Sequence, residues 1–142
     1  MKDTRIEVNK WNAQKIIQMM EIGQFDPSYM ETPVDWYRLS KYGKISESLI
    51  DKYAEYWDWS VICLHQKLSE EFIRNHFDNI QQCMYELCIS QELSVEFIQE
   101  YQDIIKWNAL ARNEHLTLEI IHTFYEKLAA YLEIKKEDSQ EL

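Results

Sequence analysis

Leu68-Ser69-Glu70-Glu71-Phe72-Ile73 is a phrase that this chain spells four times. Its sisters are Ile45-Ser46-Glu47-Ser48-Leu49-Ile50, Leu93-Ser94-Val95-Glu96-Phe97-Ile98 and Leu116-Thr117-Leu118-Glu119-Ile120-Ile121. The hydroxyl residues stand 23, 25 and 23 positions apart, and a fixed step in that range marks stacked helical units. Each recurring position has a physical reason. The Ser or Thr is an N-cap whose hydroxyl accepts from a free first-turn amide, worth about 1 kcal/mol. The apolar residue before it stands at hydrophobic-staple spacing from the isoleucine at the fourth helical position. Acids fall in the first turn, at Glu47, Glu70, Glu71, Glu96 and Glu119, where the helix dipole favours them.

Downstream the apolar positions keep helical rather than alternating periodicity. Tyr53, His76, Tyr101 and Phe124 share one column, and Trp57, Ile80, Ile105 and Leu128 share another. A second, shorter helix follows, opened by Trp36, Trp59 and Trp107; two extra residues near Gln81-Gln82 put Met84 in that place in the third copy. Branched apolar residues come three positions later (Leu39, Ile62, Leu87, Leu110), then small ones (Ser40, Cys63, Cys88, Ala111). The spacing predicts helix pairs of about ten and about eight residues, too short to stand alone in water, so neighbours must stack. The expected fold is all-α, one small α-solenoid of two-helix repeats over 1–142. Residues 6–31 form an N-terminal cap with a helix over 6–22, 32–137 hold the repeats, and 138–142 fray.

Composition agrees. Two glycines and two prolines among 142 residues are too few for a β-rich chain, while 46% apolar content fills a core. A net charge of −10 has the wrong sign for nucleic acid or anionic membranes and the right sign for a basic partner. No apolar run nears the roughly 18 residues of a membrane span. Three cysteines, an odd number, fit a reducing cytoplasm.

The core phrase, with a tryptophan about thirteen residues after the serine in sister copies, resembles short helical repeats of bacteriophage and large DNA virus proteins. The likeness covers roughly 32–137. It implies a viral or mobile-element origin, and for a small acidic protein of this kind it implies a binder and inhibitor of a host protein in the host cytoplasm.

Chemistry-bearing residues are scattered. Cys63, His65, Cys83 and Cys88 make a zinc set on paper, but compact pairs such as C-x2-C are absent, and the small-residue column explains Cys63 and Cys88 as packing. His76 falls in an aromatic column. His115 and His122 with Glu119 have no nucleophile beside them, and glycine at only 23 and 43 rules out a glycine-cradled phosphate site. The expectation is no enzyme, no metal and no cofactor. The tryptophans read as core wedges; acids (Glu55, Asp58, Asp103), not the basic residues a base-stacking platform needs, stand near them in sequence.

Acidity remains. Nine residues past each cap stand Glu55, Asp78, Asp103 and Glu126, which either cap the second helix or join the first-turn acids in a recognition surface. One such column is too sparse to imitate DNA, since packed helices lie about 8–10 Å apart and phosphates about 3.4 Å. The expected function is a non-catalytic module docking on a basic host surface, such as a CRISPR effector or another nuclease. Its contacts are Glu47, Glu70, Glu71, Glu96 and Glu119, then Glu55, Asp78 and Asp103, with Tyr37 and Tyr85 as aromatic anchors. The alternative is a self-associating repeat scaffold.

Overall fold

A computed structural model describes residues 7–27 and 34–132. Every regular element among them is helical. Parts of the expected cap and repeats (28–33, 133–137) and the expected frayed tail (138–142) lie outside the described residues. The chain divides between Leu68 and Ser69 into two compact units.

The first unit opens with α1, Ala13–Glu21, which begins later than the pattern predicts. Asn9 is the reason: its Oδ1 accepts from the amides of Trp11 and Asn12, both at 2.9 Å, and Asn12 Oδ1 accepts from the Asn9 amide at 2.8 Å. This reciprocal arrangement works as a capping box and leaves Trp11 ahead of the helix, 80% exposed. Ala13, Ile17 and Met20 form the buried stripe. Gly23, at φ 77°, ends the helix. The Gln24 amide reaches Met19 O at 2.9 Å and the Gly23 amide reaches Met20 O at 3.2 Å, which is the Schellman pairing.

Three helices complete this unit: α2, Trp36–Tyr42; α3, Glu47–Lys52; and α4, Trp59–His65. Gly43, just past α2, is a site of close approach. A Cβ there would lie 2.8 Å from Ile17 Cγ1 and 3.1 Å from Leu39 O.

The second unit contains α5, Glu70–Asn75; α6, Phe77–Ile80; a 3-10 turn, Gln81–Cys83; and α7, Met84–Ser90. Then come α8, Val95–Glu100; α9, Trp107–Leu110; α10, Leu118–Thr123; and α11, Tyr125–Leu128. The 3-10 turn absorbs the two extra residues.

All four N-caps form as the phrase predicts. Ser46, Ser69, Ser94 and Thr117 accept from the amides of Leu49, Phe72, Phe97 and Ile120 at 3.2, 3.1, 3.0 and 3.2 Å. The expected ten-residue helices do not run through. Each breaks at the ring column, with Tyr53, His76, Tyr101 and Phe124 all near φ −112° and ψ between 21° and 32°. The carbonyl of the breaking residue then accepts from amides three or four positions on, so the chain restarts in phase. This keeps Trp57, Ile80, Ile105 and Leu128 buried. Ring contacts hold two of the breaks, Phe72 against His76 at 4.3 Å and Phe97 against Tyr101 at 4.7 Å.

The second helices begin at Trp36, Trp59, Met84 and Trp107, and the three tryptophans are alike in being half-buried. Their caps are not the acids nine residues past the first cap. Asp35 and Asp58, one residue before the tryptophans, accept from the Arg38 and Val61 amides at 2.9 and 3.4 Å; at α7 and α9 no side chain caps. Ser40, Cys63 and Cys88 have no exposure, which fits small residues at those three positions, while Ala111 in the same column is half-buried.

Candidate interaction surface

The sequence places five acids at helix starts, and the structure sorts them into two kinds. Glu71, Glu96 and Glu119 are second residues of α5, α8 and α10 and are exposed. Glu47 and Glu70 are first residues of α3 and α5 and are half-buried. Glu70 is committed internally. Its Oε2 accepts from the Ser94 amide at 2.7 Å and its Oε1 from the Ser94 hydroxyl at 2.8 Å. That carboxylate ties the start of α5 to the start of α8, so it is a joint of the fold rather than a free contact.

Glu55, Asp78, Asp103 and Glu126 are exposed just past the four helix breaks. Glu55, Asp78 and Asp103 cap none of the second helices that follow them. Tyr37 and Tyr85 are the second residues of α2 and α7, 51% and 38% exposed, so both offer ring surface. Glu47, Glu55 and Tyr37 belong to the first unit, and the other seven predicted contacts belong to the second.

Charge divides unevenly between the units. Residues 1–68 hold ten Asp or Glu against nine Lys or Arg, a net −1; residues 69–132 hold eleven against four, a net −7. One of those four cations is already used. Arg74 bonds Glu100 at 2.9 and 3.1 Å, with its guanidinium 5.3 Å from the Phe97 ring centre. The Glu100 hydrogen bond holds that guanidinium still more firmly protonated. Beside α10 and α11 lies an open groove of about 510 Å³, lined by Gln99, Gln102, His122, Phe124, Tyr125 and Glu126 among others.

Buried amides are the feature that sequence reasoning missed. Gln66 Nε2 donates to the carbonyls of Ser40 and Gly43, both at 2.7 Å, while its Oε1 accepts from the Ile45 amide at 2.9 Å. Asn113 Nδ2 donates to the carbonyls of Cys88 and Gln91 at 2.8 and 2.7 Å, and its Oδ1 accepts from the His115 amide at 2.7 Å. Each amide closes the carbonyl end of an earlier second helix, where free C=O groups need partners. For Gln66 a signal existed, since Gly43, Gln66 and Gln91 each stand three residues before a cap and all three are buried; Asn113 stands four residues before Thr117, outside that column.

The paper zinc set is dispersed. Cys63 and Cys88 are core side chains, Cys83 is half-buried and His65 is exposed. Burial pushes the Cys88 thiol up to about 11 from an ordinary 9.0. Among the described residues, no three His, Cys, Asp or Glu side chains converge as metal ligands. No helix of the described residues is long and apolar enough to cross a membrane. The chain matches no family model, no curated protein and no solved structure.

Proposed function

We propose that this chain is a small α-solenoid of short two-helix repeats acting as a non-catalytic, acidic protein-binding module. Its partner is a basic surface on a host protein, which binding inhibits; a CRISPR effector or other nucleic-acid-handling nuclease has the required surface, cationic because it must hold phosphates. In this reading the gene belongs to a phage or mobile element and the protein works in the host cytoplasm.

The observation that carries the reading is the −7 of residues 69–132, combined with the exposure of Glu71, Asp78, Glu96, Asp103, Glu119 and Glu126. Solvated carboxylates of one sign raise the encounter rate with a cationic partner and set orientation. Tyr85 and Tyr125 supply ring surface in the same unit, as an interface needs beyond charge. Glu70, engaged with Ser94, is withdrawn from the contact set.

The test is capture of a host nuclease and inhibition of its cleavage, in low salt and again near half-molar salt. Docking through exposed charges weakens steeply as the Debye length shrinks toward 3 Å. Capture and inhibition unchanged in high salt, and unchanged by Glu71→Lys, Glu96→Lys and Glu119→Lys together, would remove the proposal.

A further inference from the structure

Two side-chain contacts join the stretch after Ser69 to the stretch after Ser94. Arg74, five residues past the Ser69 cap, donates through Nε and Nη2 to Glu100 at 3.1 and 2.9 Å, while its guanidinium lies 5.3 Å from the Phe97 ring centre. Phe77, eight residues past the same cap, stacks on Tyr101 at 5.1 Å and 19°. One repeat further on, the same positions read differently. Gln99 and Gln102 stand five and eight residues past Ser94, Thr123 and Phe124 take the places of Glu100 and Tyr101, and Ile120 replaces Phe97. Glutamine with threonine makes no ion pair, and glutamine with phenylalanine makes no ring stack. Thr123 instead donates its hydroxyl to the Glu119 carbonyl at 2.8 Å.

The open groove of about 510 Å³ is lined by these very positions, Gln99, Gln102, Thr123 and Phe124, together with Tyr125 and Glu126. It lies where the repeat lacks its own filling, and the filled copy shows what fits. We infer that the groove receives an arginine side chain of the partner, in the place that Arg74 occupies one repeat earlier. Glu126 supplies the carboxylate, the amide oxygens of the two glutamines accept further N–H groups, and the exposed Tyr125 offers a ring. Arginine suits this set better than lysine, because a planar guanidinium can lie on a ring and direct its N–H groups to acceptors at once, as Arg74 does. His122 and Lys127 complete the lining; the Lys127 ammonium sits 5.8 Å from the Trp107 ring centre, and the net −7 of residues 69–132 keeps the surroundings attractive to a cation. The inference deepens the basic-surface reading and takes the source of the arginine from it.

The probe is acetyl-Gly-Arg-Gly-amide, titrated into the isotope-labelled full chain and followed by NMR. The amides of Gln102, Tyr125 and Glu126 should shift saturably while those of the first unit stay in place. The lysine counterpart should bind about threefold to fivefold more weakly, the worth of one ring contact at an exposed site. The citrulline counterpart, which keeps the shape without the charge, should not saturate. Gln99→Arg with Thr123→Glu installs the missing bridge on two exposed side chains and leaves the net charge unchanged. Circular dichroism should be unaltered in this double variant, the saturable shifts should be lost, and capture of the basic partner should weaken at least about threefold. Equal binding of the three peptides, shifts centred outside the groove, or shifts that persist in the double variant overturn the inference. So does tighter binding of acetyl-Gly-Glu-Gly-amide, which would make the groove an anion site. A partner still captured through Glu71, Glu96 and Glu119, while the arginine peptide shifts nothing, overturns this inference alone and leaves the basic-surface reading standing.

Discussion

Gln66 and Asn113 are polar residues in positions where an apolar side chain would be costly. Each satisfies two carbonyls and one amide at 2.7–2.9 Å, and each backbone group stranded in the interior costs about 1–3 kcal/mol. Asn113→Leu should therefore lower stability by about 3 kcal/mol in urea denaturation, although it adds apolar bulk. A loss below about 0.5 kcal/mol would mean that water reaches those carbonyls. Cys88 carries a second prediction. Its thiol titrates near 11 in the fold because burial disfavours the thiolate, whereas in the unfolded chain it titrates near 9. The fold thus holds its proton more tightly, and this stabilisation is complete below pH 9 and fades as pH rises to about 11. A shift of that size corresponds to roughly 2–3 kcal/mol. Stability of the parent chain and Cys88→Ala, measured from pH 8 to 11, should converge by roughly that amount.

At the scale of elements, the four capped helices are legible because capping, staple and dipole effects act within one turn. Such local terms leave a fixed spacing in the sequence. The helix breaks were not legible, since the apolar columns stay in phase across Tyr53, His76, Tyr101 and Phe124. A continuous helix and a helix that stops and restarts bury the same positions. Ser94→Ala removes more than a cap, because Ser94 accepts from Phe97 while donating to Glu70. It should cost clearly more than the about 1 kcal/mol of an ordinary cap. Adding Glu70→Gln to it should cost less than the sum of the separate changes, because the two share one joint. A purely additive double-mutant cycle would deny that joint. Gly43→Ala should destabilise by about 1–3 kcal/mol through overpacking, since the new methyl meets Ile17 and the Leu39 carbonyl.

Over the whole molecule, charge is the property with the widest reach, and it is concentrated beyond Leu68. Reversing Glu71, Glu96 and Glu119 together should weaken partner capture at least about tenfold at low salt, while each exposed change moves stability by no more than about 0.5 kcal/mol. The matching reversal of Glu55 in the nearly neutral first unit should leave capture almost unchanged. Sequence alone determined the all-helical class, the four caps, the small-residue column that holds Cys63 and Cys88, and the total charge. These follow from residue type and from spacings shorter than one repeat. Only the tertiary structure decided that Glu70 is a joint while Glu71 faces water. It likewise gave Gln66 and Asn113 their buried carbonyls. The partner of a carboxylate or an amide is set by what a segment more than twenty residues away presents to it, and no local pattern records that distance.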